Sequence, residues 1–142
     1  TLPSVLMASA DECLRAGAAV HDTARRLGRR AVFVASTALS HVLVRGRSNW
    51  PTPERQEADA RFIERLKTGR IDEAIADFPE YARFVGAEMG GRPLATLLGA
   101  LRAMGADGSV LAARQYGAYT QSSGSGNAVM AIAAPEVLAR LG

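Results

Sequence analysis

The sequence predicts an α/β fold, with a parallel or mixed central sheet and helices on both of its faces. Residues 31–36, AVFVAS, are continuously apolar and rich in β-branched side chains, the composition of a strand buried on both faces. Residues 2–8, LPSVLMA, form a second apolar run of strand length. A helical stretch separates the two runs. Strand, helix and strand in that order make a βαβ unit, in which the strands lie parallel and the crossover is right-handed.

The helix is expected over residues 10–27. Ser9 and Glu12 stand at capping-box spacing, Leu14, Ala18, Ala24 and Leu27 recur at roughly helical intervals, and Gly28 closes the run. Gly17 inside it costs about 1 kcal/mol relative to alanine, which the neighbouring Ala16, Ala18 and Ala19 offset. Residues 45–52 read as a polar loop containing Trp50 and Pro51, and Pro53 opens a charged, largely solvated helix that stops near Gly69. Residues 71–78 and 79–85 read as two short helical pieces divided at Pro79. Leu94, Leu97, Leu98 and Leu101 make an apolar stripe on a helix that ends near Gly105. Residues 110–113 and 128–133 alternate as a closing pair of strands, separated by a loop holding Gly117, Ser122, Ser123, Gly124, Ser125 and Gly126. No repeat or linker divides the chain, so residues 1–142 are expected to form a single domain.

A composition of 48% hydrophobic and 22% charged residues is that of a globular domain with a real core, which excludes a disordered tail. The net charge is only +3, and its 17 basic and 14 acidic residues are spread without a basic block, which argues against nucleic-acid binding. One cysteine, Cys13, permits no internal disulfide, and no run approaches the ~18 to 20 apolar residues needed to cross a bilayer. A cytoplasmic location is the expectation. The chain opens at Thr1 without methionine, as a trimmed or processed N-terminus would.

The chemistry has few candidates, because the chain holds only His21 and His41 and one thiol. His41 follows the expected strand in STALSH, and in open parallel sheets ligands collect beyond the carboxyl ends of strands. By residue type alone it reads first as a loop histidine hydrogen-bonded for structure. Glu88, by the same standard, reads as a glutamate favoured by a helix N-terminus.

Three segments shift both readings. VFVASTALSH is similar to the strand, small-residue turn and Leu-Ser-His of the class III extradiol (LigB-type) dioxygenases, many of which carry ASGDLSH; here Thr37 and Ala38 replace the Gly-Asp of that turn. VGAEMGGRPLATLLGAL, residues 85–101, resembles the family segment that holds a metal-binding glutamate before a glycine and a leucine-rich helix, and Glu88 is the matching residue, 47 positions after His41. SGSGNAVMAIA resembles the family's closing glycine turn and strand. Together they cover most of the chain from Val32 onward and liken it to the C-terminal half of a LigB-type dioxygenase, so that the domain is half of a larger fold.

The resemblance implies a non-haem Fe(II) enzyme that opens a catechol or 2-aminophenol-type ring with O₂. Iron would be held by two histidines and a carboxylate, with positions left for substrate and O₂. Glu88 would supply the carboxylate. His41 would bind no metal; as acid and base it would take a proton from the substrate hydroxyl and return one before ring cleavage, work suited to an imidazole of ordinary pKa ~6.5. The family's two metal-binding histidines belong to the N-terminal half, and His21, inside the first helix, is placed to pack or to make a surface hydrogen bond. A second chain carrying that half, cleavage of a precursor before Thr1, or a noncatalytic LigB-like partner subunit would each account for this, and the two-chain enzyme is favoured. An alternative of another class is a self-processed amide hydrolase with Thr1 as nucleophile, whose layered antiparallel sheets conflict with the βαβ reading. Arg92, Tyr116 and Tyr119 are of a type to meet a substrate carboxylate or phenol, though nothing in their spacing demands it.

Overall fold

A computed structural model describes residues 7–42 and 51–141 of the chain. They form helices α1 (Ala10–Arg26), α2 (Pro53–Lys67), α3 (Ile71–Val85) and α4 (Arg92–Ala106), strands β1 (Ala112–Ser122) and β2 (Ser125–Ala133), and a short helix α5 (Pro135–Leu138). A 3₁₀ turn, Glu88–Gly91, joins α3 to α4. Helices and strands mix, as an α/β chain requires. The sheet among the described residues, however, has two strands, and they are antiparallel. None of these helices is long and apolar enough to cross a membrane.

The expected βαβ unit is not formed among these residues. Its first strand falls largely on residues 1–6, outside the described ones. Its second, residues 31–36, has no strand assignment and pairs with no described segment. Burial still alternates along it, with Phe33 and Ala35 half-buried while Val32 and Val34 are 90% and 77% exposed. The composition of a strand is there without the ladder, because a strand exists only through the N–H and C=O groups of a neighbour.

Helix α1 starts where its capping box places it. Ser9 N–H donates to Glu12 Oε2 at 2.8 Å and Glu12 N–H donates to Ser9 Oγ at 3.2 Å. It packs parallel to α4, with Ala8 beside Arg92 at one end and His21 and Arg25 beside Asp107 at the other, and glycines set the contact. A Cβ on Gly17 would lie 1.9 Å from the Thr96 carbonyl oxygen, and one on Gly99 would lie 2.0 Å from that of Leu14. Gly17, a weak point by helix propensity alone, is thus what lets the helices touch backbone to backbone. Cys13, Leu14, Leu94, Ala95, Leu98 and Leu101 fill the rest of this interface and the core behind it.

Helix α2 opens on Pro53 as expected, with Thr52 as its N-cap, but it is not largely solvated: Ala58, Asp59, Phe62, Ile63 and Leu66 form a buried face. Against that face lies α3, one continuous helix rather than two pieces. Pro79 lacks the N–H that would have bonded the Ile75 carbonyl. The helix continues across it because Ile71, Ala74, Phe78, Tyr81, Ala82 and Val85 form a single buried stripe on both sides of the proline. Phe62 stacks on Tyr81 with ring centroids 4.5 Å apart and planes within 7°, and Phe78 tilts against both. Gly86 ends α3 in the left-handed conformation, φ 60°.

The closing hairpin is present, with longer strands and a shorter turn than the sequence suggested. Pairing runs from Ala112↔Ala133 to Tyr116↔Val129 and resumes at Thr120↔Asn127, so β1 bulges between Tyr116 and Thr120. Gly117, φ 72°, sits in that bulge. Only Ser123 and Gly124 form the turn, both with positive φ (50° and 86°), the type I′ arrangement that suits the twist of paired strands. The turn formers in this segment therefore serve a bulge and a tight turn instead of an open loop.

Replacing Gly99 with alanine tests the helix contact, because propensity and packing predict opposite signs. Propensity alone would add about 1 kcal/mol. Forcing a methyl into the Leu14 carbonyl should instead remove ~1–3 kcal/mol. The urea midpoint of Gly99→Ala is expected to fall below wild type, and a midpoint that held or rose would show that the helices can part without cost.

Candidate active site

The two sequence candidates are brought together by one short strip of chain, residues 38–42. Ala38, Leu39 and Ser40 on it are buried, Ser40 completely. On one side the strip runs along the turn of the hairpin: Leu39 N–H donates to the Gly126 carbonyl at 2.9 Å, Gly126 N–H to that of Ser40 at 2.9 Å, and Val42 N–H to that of Gly124 at 3.2 Å. His41 thereby forms an antiparallel bridge with Ser125. On the other side it meets the end of α3 and the turn after it, where His41 N–H donates to the Val85 carbonyl at 3.3 Å and Ala38 N–H to Glu88 Oε2 at 2.6 Å.

His41 therefore lies on the strip that Glu88 holds at Ala38, three residues away and at most about 11 Å of extended chain. They are not bonded to each other. The half-buried His41 ring places Nδ1 3.1 Å from Ser125 Oγ, and among the described residues Nε2 has no hydrogen-bond partner. That leaves Nε2 as the nitrogen able to exchange a proton with another molecule.

Glu88 sits on a turn of unusual backbone. The three residues after it are all left-handed, with φ of 52° at Met89, 65° at Gly90 and 74° at Gly91. Glycine takes this conformation freely and methionine does so at some cost. Arg92 locks the turn by donating from Nε to the Ala8 carbonyl at 2.7 Å and from Nη1 to that of Met89 at 2.6 Å. Arg92 is thus engaged in the fold at the base of this turn. Glu88 Oε2 is taken by the Ala38 amide, and none of the described residues donates to Oε1.

Beneath the strip lies a carboxylate that sequence reasoning missed. Asp59 on α2 is fully buried. Its Oδ2 accepts from Ser40 N–H at 3.2 Å, Ser40 Oγ at 2.7 Å and Tyr119 Oη at 2.7 Å, and its Oδ1 accepts from Tyr81 Oη at 2.9 Å. Burial of the phenols, reinforced by the Asp59 charge and its hydrogen bonds, pushes the pKa of both tyrosines well above the usual range, so both remain donors. A signal for Asp59 was in the sequence: it stands with Phe62, Ile63 and Leu66 at the 3–4 spacing of a buried stripe, where an acid is out of place unless something meets it.

The remaining candidates fall elsewhere. His21 makes the surface hydrogen bond expected of it, with Nε2 2.5 Å from Asp107 Oδ2 at the end of α4. That bond and the Arg25 guanidinium hold the Asp107 carboxyl below its usual range. Tyr119 is committed to Asp59. The Tyr116 hydroxyl is buried without a partner among the described residues, with Arg114 over its ring. Thr1 and most of the loop 45–52, including Trp50, lie outside the described residues. Among the described residues no three His, Cys, Asp or Glu side chains gather closely enough to hold a metal ion.

Because Asp59 depends on all its donors, Tyr81→Phe should be costly despite its small change in volume. Removing the hydroxyl leaves Oδ1 buried without a donor, at a penalty of ~1–3 kcal/mol or more for a charged group. Chemical denaturation should show that loss, and a wild-type midpoint would mean that water or another donor replaces the phenol.

No match to the chain was found among curated proteins. One protein-family model matches residues 3–128, and it describes the catalytic LigB subunit of aromatic ring-opening dioxygenase. The match spans the strip, α2, α3, the Glu88 turn, α4, β1 and the start of β2, including every residue of the geometry above. The chain belongs to the LigB family of aromatic ring-opening dioxygenase catalytic subunits.

Proposed function

We propose that the chain carries half of an extradiol active site, in which a non-haem Fe(II) enzyme opens a catechol or 2-aminophenol-type ring with O₂. The observation that supports this most directly is that one clamped strip both carries His41 and binds Glu88, within a chain of LigB family. In the overall reaction the bond between a hydroxyl-bearing ring carbon and its outer neighbour breaks. Both atoms of O₂ enter the product, one as a carbonyl and one as a carboxylate oxygen. The ring loses four electrons and O₂ gains them, so no further reductant is required.

Glu88 fits the carboxylate place in a two-histidine, one-carboxylate site. It is a hard anionic oxygen donor, oriented by the Ala38 amide through one oxygen and without a described donor on the other. The chain's own histidines do not fit the imidazole places, since His21 is paired with Asp107 and His41 with Ser125. The two imidazoles therefore come from residues outside this segment, in a second chain that supplies the N-terminal half. Bound iron would supply the centre at which the aromatic substrate and O₂ meet.

His41 does the proton work. With Nδ1 held by Ser125, Nε2 takes the hydroxyl proton as the substrate binds and returns it as the ring opens. A backbone pinned at Leu39, His41 and Val42 keeps the imidazole from following the substrate, so its geometry is set before binding.

Two substitutions in the assembled protein separate these roles. Glu88→Gln keeps size while removing the anionic donor, so iron content measured by metal analysis should fall while the fold is retained. Unchanged iron would remove Glu88 from the site. His41→Ala should retain iron and lower oxygen uptake on catechol or 2-aminophenol by about 10²- to 10⁴-fold, the usual contribution of a general acid and base. Loss of iron in that variant would make His41 a ligand instead.

A further inference from the structure

We propose that Asp59 is a positioning residue for His41, holding the imidazole in one tautomer and one place through the strip and the hairpin turn. The catalytic consequence rests on the reading of His41 as acid and base; the geometry does not.

Both partners of the imidazole bond are one residue away from groups that this carboxylate holds. His41 follows Ser40, whose N–H and hydroxyl both donate to Asp59 Oδ2. Ser125, whose Oγ meets His41 Nδ1 at 3.1 Å, precedes Gly126. Gly126 lies directly against the carboxylate and its phenol: a Cβ there would fall 2.4 Å from Asp59 Oδ2 and 1.9 Å from Tyr119 Oη. The Ser40 and Gly126 backbones are joined by a 2.9 Å hydrogen bond. The carboxylate thus sets the position of the strip by pulling on Ser40, while its phenol sets the position of the hairpin turn by abutting Gly126. The separation of His41 from Ser125 follows from those two positions.

A role in holding the fold alone would not call for an anion. Well-packed apolar side chains fill such a space without the desolvation cost of a buried charge. A carboxylate that accepts from Ser40, Tyr81 and Tyr119 has instead one arrangement in which all donors are met, and that arrangement is transmitted to a ring one residue away. A misplacement of ~1 Å in a reacting group can cost about 10²-fold in rate.

The test uses the intact protein labelled with ¹⁵N-histidine. Asp59→Asn removes the charge and turns one acceptor into a donor. The expected result is that His41 passes from one hydrogen-bonded tautomer to exchange between two, while kcat for ring opening falls about 10- to 100-fold and KM changes little. Ser125→Ala, which removes the ring's own partner, should reproduce the tautomer change. If Asp59→Asn does not fold, Tyr119→Phe removes a single donor and should show the same two changes in smaller measure. A folded Asp59→Asn with wild-type His41 resonances and kcat overturns the proposal, as does a folded Tyr119→Phe without either change where Asp59→Asn fails. A tautomer change in Asp59→Asn together with full ring-opening activity in His41→Ala would leave Asp59 as the positioner of the ring and remove only the acid and base reading.

Discussion

A carboxylate cannot be buried without donors, and most of this architecture can be read as the means of supplying them to Asp59. The donors come from three separate places: the strip after residues 31–36, the buried stripe of α3, and the bulge of β1. None of these elements contacts the others by necessity of sequence. The acid on α2 makes them converge, because each missing donor would leave a charge unpaired in a low-dielectric interior. The bulge between Tyr116 and Thr120 belongs to this requirement, since Tyr119, which turns its hydroxyl to the carboxylate, lies within it. The stack of Phe62 on Tyr81 does the same for the other phenol.

The strip above Asp59 converts that buried order into a surface. Its backbone is bonded on one edge to the hairpin and on the other to the end of α3 and to Glu88, so two chemically different side chains are referred to one rigid segment. Sites built on elements whose neighbours are fixed keep their geometry better than sites on free loops. In this fold, irregular chain is made rigid by being bonded on both edges rather than by being part of a sheet.

What the sequence revealed follows from how local each feature is. The start of α1 was legible because a capping box needs only Ser9 and Glu12, and the stripe of α4 because its leucines face one side of one helix. His41 and Glu88 were reached through motifs, and their common strip was not visible, because it depends on pairs 44 to 87 positions apart. Residues 31–36 carry a strand's composition, yet pairing is a property of two segments and cannot be read from one. The charged residues of α2 hide its buried face, and Asp59 with it. Pro79 suggested a break in α3, where the buried stripe on both sides outweighs one lost hydrogen bond.

The left-handed turn after Glu88 has a consequence for how proteins of this kind can diverge. Gly91 tolerates no side chain in either dihedral or space, since a Cβ there would lie 2.6 Å from the Phe78 ring at a φ of 74°. Met89 already occupies a conformation that β-branched residues reject. Mutational drift in this stretch is therefore almost closed, and the acidic side chain it presents is held at one position in space whatever happens nearby. Sequence change has to be accommodated elsewhere, in segments whose backbones do not require a positive φ. A turn built in this way keeps the position of its glutamate nearly constant while the chain around it changes.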